Sequence, residues 1–314
     1  MAGCRQFVRQ AGEMVGIGGA ALLLDRPFPR ARIVHWQNGG STRVLATVEG
    51  PIREPRAAPG GSGQTVEGVL FWPPGQRGSS GLPLVVSLHG GPDLARTEAL
   101  ALGIPWAFYP ALLASRGYLV LEPNFRGSTG RGDAFMRIEG AVCSLPAKDV
   151  LSGVDHLVGR GWADSARLGL FGYSFGGELT ACLLGRTNRC RAAVAGSGIW
   201  NEISYYGTAE NGALTSLYLG SKPPWESFET YWGESPISGA GRIRTPTPLT
   251  TGDADDVVPP AQSFEFYRAL RANGVPAERL VFPNQGHSYT RPSFMRSKVE
   301  AEVNWLDRYL LRSP

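Results

Sequence analysis

The stretch Leu168-Gly-Leu-Phe-Gly-Tyr-Ser-Phe-Gly-Gly177 decides how the chain is read. An apolar run, Leu168 to Phe171, enters Gly172-Tyr-Ser-Phe-Gly176, and a helix-like segment, Phe175 to Leu184, follows at once. G-x-S-x-G between a strand and a helix is the pattern of a nucleophile elbow. So sharp a turn leaves no room for side chains two residues before and after the serine, and both positions are glycine. The turn would expose the Ser174 hydroxyl and aim the Phe175 amide at the same point. The helix N-terminus beneath adds positive potential where an oxyanion would form. Ser174 is the candidate nucleophile and Phe175 a candidate oxyanion donor.

On either side of this segment, strand-like and helix-like patterns alternate. Pro83 to Leu88 reads as a buried strand, Tyr118 to Glu122, Ala192 to Ala195 and Arg279 to Phe282 as strands, and Thr247 to Thr251 as a weaker one. Trp106 to Arg116, Ala147 to Gly159, Pro260 to Ala272 and Ser293 to Leu311 read as helices. Such alternation predicts a mostly parallel α/β sheet wound on both faces. Residues 65–314 are expected to form this unit. Residues 1–64 are expected to be an irregular, β-prone N-terminal arm. It has short strands at Ala31 to Trp36 and Thr42 to Val48 and a Pro- and Gly-rich linker over Gly50 to Gly63.

A serine hydroxyl needs a base to act as a nucleophile at neutral pH. Of four histidines, His35 lies in the N-terminal arm and His156 inside a helix. His89 and His287 each follow the end of a strand, where ligands meet an open α/β sheet. The chain order serine, acid, histidine selects His287. The acid is expected in Gly252-Asp-Ala-Asp-Asp-Val-Val-Pro259, where spacing leaves Asp253, Asp255 and Asp256 open. A calcium loop is excluded there, with no glycine at the sixth position and no glutamate at the twelfth. His89-Gly-Gly-Pro92 places consecutive glycines after a strand, so the Gly91 amide is the expected second oxyanion donor. The aromatic residues between nucleophile and acid include Trp200 and Tyr206, which are expected to contact substrate in an acyl pocket.

Composition narrows the field. Lys+Arg 31 against Asp+Glu 27 gives a net charge of +4 without any run of five like charges. That argues against nucleic-acid binding. The apolar run Val15 to Leu24 is flanked by Glu13 and Asp25 and is too short to span a membrane. Four cysteines without a Cys-x-x-Cys pair suggest neither a zinc site nor a disulfide framework, and a reducing cytoplasm is the expected setting. No metal or organic cofactor is called for by the serine chemistry. Self-association of the chain is left open.

Taken together, His89-Gly-Gly-Pro92, Pro123-Asn-Phe-Arg-Gly-Ser-Thr-Gly130, Gly172-Tyr-Ser-Phe-Gly-Gly177, Gly252-Asp-Ala-Asp-Asp-Val-Val-Pro259 and Gly286-His287 resemble the catalytic domain of the prolyl oligopeptidase family of serine peptidases. The acylaminoacyl-peptidase-like branch is the nearest in pattern. The resemblance covers about residues 65–312 and implies an α/β-hydrolase fold. It further implies Ser174 as nucleophile, Asp255 as acid, His287 as base, Gly91 and Phe175 as oxyanion donors, and short peptides as substrates. A carboxylesterase on the same fold is the nearest rival, and an inactive, truncated member acting as a binding protein is another. Members of the family carry a β-propeller before the hydrolase domain. The resemblance therefore implies that residues 1–64 are propeller strands of a truncated gene product, or else a short arm. The chain departs from the pattern at Gly140-Ala-Val-Cys-Ser-Leu-Pro146 and at Thr251.

Overall fold

Strands that are apolar on both faces can be buried only in a sheet covered by helices on both sides. The described residues form twelve strands, of which β5 to β12 make up such a sheet: β1 (Met14–Ile17), β2 (Ala20–Asp25), β3 (Arg30–Trp36), β4 (Thr42–Glu49), β5 (Ala58–Pro59), β6 (Thr65–Phe71), β7 (Leu82–Leu88), β8 (Leu119–Asn124), β9 (Ala163–Tyr173), β10 (Cys190–Gly196), β11 (Thr247–Gly252) and β12 (Ala277–Phe282). The computed structural model describes residues 66–96 and 108–311 in full. It describes the backbone alone for residue 65 and for the strands up to β5. The linker expected at Gly50 to Gly63 falls outside the described residues except for β5, as do residues 106–107 of the expected first helix.

The main sheet has the order β12-β11-β10-β9-β7-β8-β6-β5. Every pairing from β8 to β12 is parallel, and β6 closes the other side antiparallel to β8. Period-two alternation sends Leu84 and Val86 into one layer and Val85 into the other. The first layer packs Val150, Leu179, Leu183 and Phe266 from the helices Ser144–Gly159, Phe175–Leu184 and Pro260–Ala272. The second packs Leu113 and Leu306 from Tyr109–Ser115 and Pro292–Leu310. This is the α/β-hydrolase fold expected from the sequence. The N-terminal strands form a separate antiparallel sheet of order β1-β2-β3-β4, more regular than the irregular arm expected there. No helix among the described residues is long and apolar enough to cross a membrane.

The threonine-rich β11 is buried at all six positions. Its hydroxyls are tolerated there because they are bonded. Thr247 donates to the Thr245 carbonyl at 2.9 Å and Thr250 to the Glu302 carboxylate at 2.9 Å. The Ser144–Gly159 helix starts three residues earlier than its sequence pattern suggests. Its orphan amides at Cys143 and Ser144 donate to the Glu234 carboxylate at 2.6 and 2.9 Å, a remote cap with no local signature.

One expectation from composition fails. Cys143 and Cys182 form a disulfide across a Cα–Cα distance of 5.6 Å, joining the start of the Ser144–Gly159 helix to the Phe175–Leu184 helix. The two cysteines are 39 residues apart in sequence, and only the packing of those helices makes them neighbours. Closing a loop of that length restricts the unfolded chain enough to stabilise the fold by about 4 kcal/mol. Replacing both cysteines with alanine is therefore expected to lower the urea-unfolding free energy by about that amount. Reductant should then destabilise the parent protein and leave the variant unaffected.

Candidate active site

Parallel strands bring their carboxyl ends to one edge of the sheet, and four of those ends build the site. β9 leads directly into Ser174, whose backbone is held at φ 58° and ψ −130°, a conformation costly for a residue with a side chain. The corner is forced by close approach. A Cβ on Gly172 would lie 2.0 Å from the Gly176 carbonyl oxygen, and one on Gly176 would lie 2.1 Å from the Leu88 carbonyl oxygen. The two glycines of the motif are thus required by contact with each other and with β7.

The loop after β12 carries His287, and the loop after β11 carries the three aspartates. His287 Nε2 lies 2.9 Å from Ser174 Oγ, and His287 Nδ1 lies 2.9 Å from Asp255 Oδ2. The Asp255 carboxylate is buried, and its Oδ1 accepts the Val258 amide at 2.8 Å. An Nδ1–H donated to Asp255 leaves Nε2 as the acceptor facing the serine, the tautomer that proton abstraction requires. Asp253 is used differently: its Oδ1 accepts the Asn284 amide and ties one loop to the other. Asp256 is exposed. The structure thus separates three residues that spacing had left equivalent.

Gln285 is a loop organiser that the sequence reading missed. Its buried side chain accepts the amides of Thr290 and Arg291 at 3.0 and 3.2 Å and donates to the Asn284 carbonyl at 2.8 Å. Tyr173 adds a bond from its hydroxyl to the His287 carbonyl at 2.8 Å. His89, the rival histidine, is committed elsewhere. Its Nδ1 donates to the Gly90 carbonyl at 2.8 Å, its Nε2 accepts from the Ser128 hydroxyl at 2.9 Å, and its ring stacks on Phe125. Burial lowers its pKa to about 4, so it stays neutral.

A cavity of about 180 Å³ opens beside Ser174. Gly91 and Phe175 line it, as do Tyr205, Leu219 and Val258. Neither aromatic residue expected to contact substrate lies on it. Trp200 is fully buried, its ring stacked on Phe266 at a centroid distance of 5.0 Å, while its amide donates to Gln262 Oε1. Tyr206 packs edge-on against Trp225 and Tyr231. Its neighbour Tyr205 faces the cavity instead, because one residue turns a helix by about 100°. Glu178 and Glu202, which no sequence pattern singled out, also line the cavity.

A model of the prolyl oligopeptidase family matches residues 106–313. The chain belongs to that family. An uncharacterized peptidase of Bacillus subtilis, YuxL, is 31% identical over 253 residues, covering 79% of this chain and 38% of the relative. The mouse acylamino-acid-releasing enzyme is 31% identical over 252 residues, covering 78% of this chain and 34% of the enzyme. Among solved structures, a puromycin-hydrolyzing peptidase of Mycobacterium tuberculosis superposes with a TM-score of 0.76 at 26% identity. That match covers 96% of this chain and 47% of the peptidase. The chain therefore spans less than half the length of these prolyl oligopeptidase relatives.

Proposed function

We propose that the chain is a serine hydrolase that cleaves peptide bonds of short peptides through an acyl-enzyme. Ser174 Oγ attacks the substrate carbonyl while His287 Nε2 takes its proton, and Asp255 steadies the imidazolium that forms. The Phe175 and Gly91 amides receive the developing oxyanion. His287 then protonates the leaving amine, and water activated by the same imidazole releases the acyl group. The observation that carries this reading is the unbroken hydrogen-bond chain from Asp255 through His287 to Ser174, 2.9 Å at each link. The strained serine at the head of a helix and membership of a peptidase family support it. The antiparallel β1–β4 sheet has the strand number of a propeller blade, and we propose that it belongs to such a module.

Labelling with a fluorophosphonate probe tests the chemistry. One adduct is expected, on Ser174, and the Ser174→Ala variant should take none. Folded protein that remains unlabelled would remove the hydrolase reading. Peptide and ester substrates with the same acyl group then separate a peptidase from an esterase, which would turn over only the ester.

A further inference from the structure

The cavity beside Ser174 contains a pair of carboxyl groups that the acyl-transfer chemistry does not use. Glu178 lies one helical turn beyond Ser174 on the Phe175–Leu184 helix, a rise of about 6 Å. Its amide donates to the Ser174 carbonyl at 3.0 Å, and helical side chains lean back toward the N-terminus, here toward the nucleophile. Glu202 opens the Glu202–Thr208 helix, with its amide fixed by Ser235 Oγ at 2.9 Å. Asn201 caps that helix, and the Gln262 side chain holds Asn201 in place. Both glutamates line the cavity, yet they are only 1% and 2% exposed. The two side chains hydrogen-bond to each other, and Glu178 Oε1 and Glu202 Oε2 find no donor elsewhere in the protein. Two buried carboxyls with no outside donor stay together only by sharing a proton, unless a ligand supplies the donors.

We infer that this cavity is the acyl-side specificity pocket and that it accepts a cationic side chain, lysine or arginine, whose head group bonds to Glu178 and Glu202. The inference rests on the serine hydrolase reading above. The groups that would hold the scissile carbonyl line the cavity, so the side chain of the acyl residue is placed to enter it. The cavity's apolar lining suits a methylene stem, and the carboxyl pair lines the same cavity. A guanidinium or ammonium group offers several donors to the two carboxyl groups at once, in place of their shared proton.

The charge state of the empty pocket is consistent with this occupant. Burial, and then the facing carboxyl Glu202, push Glu178 well above the usual carboxylate range. Burial likewise raises Glu202, to about 7, against the hydrogen bond from Glu178 that favours its ionised form, and Glu234 adds to the rise. The pair therefore holds a proton more tightly than two solvated carboxyls would, and an entering cation would displace it. Tyr205 and Tyr231 are the other titratable groups that feel this pair. Preference for a cationic residue should accordingly rise with pH across the neutral range. His287 acts on every substrate alike, so the ratio between substrates isolates the pocket.

The test compares N-blocked lysine and leucine substrates, as both peptide amides and p-nitrophenyl esters, in the parent protein and in Glu202→Gln and Glu178→Gln. Both changes are nearly isosteric and remove a buried carboxyl without creating one. The kcat/KM ratio of lysine to leucine is expected to exceed tenfold in the parent and to fall at least tenfold in each variant. A ratio near one, or one the variants leave unchanged, overturns the inference while leaving the hydrolase reading intact. So does a clear advantage for unblocked leucine substrates, which would assign the pair to a free amino terminus. A second readout needs no turnover. n-Butylguanidinium should slow fluorophosphonate labelling of Ser174 in the parent, with at least tenfold weaker effect in Glu202→Gln, while neutral n-butylurea does little in either. Equal effects of the two compounds would also overturn it. Absence of labelling altogether would instead refute the hydrolase reading.

Discussion

Replacing His287 with alanine is expected to lower kcat/KM between about ten-thousandfold and a millionfold, a loss of about 5–8 kcal/mol of transition-state stabilisation. The imidazole is the group within hydrogen-bond distance of Ser174 Oγ that can accept its proton, and it also returns that proton to the leaving group. The other histidine near a strand end offers no substitute, because both ring nitrogens of His89 are engaged by Gly90 and Ser128. The imidazole is partly exposed and sits on a loop braced by Gln285, so its removal should leave the fold and KM nearly unchanged. The measurement is steady-state kinetics on an activated ester together with an unfolding curve. Activity within tenfold of the parent in a natively stable His287→Ala protein would refute the assignment of the base.

The second large effect comes from a change of a single atom. Asp255→Asn is expected to reduce kcat about a thousandfold to ten-thousandfold, the scale of a wrong-tautomer defect. Oδ1 of Asp255 accepts the Val258 amide, so an asparagine must place its carbonyl oxygen there and its NH2 toward His287. A donor facing Nδ1 makes that nitrogen the acceptor and moves the proton to Nε2. The imidazole then presents N–H to the serine and cannot take its proton. Geometry and binding persist, so KM should change little. Asp255→Asn combined with His287→Ala should be no worse than His287→Ala alone, because the acid acts only through the base. Strictly additive losses would show that Asp255 does something else.

What could be read from the chain depended on how local the constraint was. The serine corner was legible because strand, turn and helix occupy ten consecutive residues and the two glycines have one physical cause. The alternation of elements gave the sheet for the same reason. The acid was legible only as a loop: spacing could not separate Asp253, Asp255 and Asp256, and family resemblance favoured the one that the fold brings to His287. The cavity beside Ser174 is lined by residues other than the two aromatics expected. Trp200 and Tyr206 were plausible as large aromatic residues in the right interval, but one is stacked inside the core and the other lies off the cavity wall. Glu178 and Glu202 carry no motif, and a buried carboxyl cannot be told from a solvated one in a sequence. The Cys143–Cys182 bond was likewise hidden, because two helices must pack before its partners meet.

The left-handed backbone at Ser174 implies a trade-off between durability and activity. Glycine would occupy φ 58° without penalty, so the corner would be more comfortable without the residue that carries the hydroxyl. On the hydrolase reading proposed above, drift toward greater robustness at this position runs directly against turnover. Screens that select variants of this protein for heat resistance alone would tend to discard its reactivity.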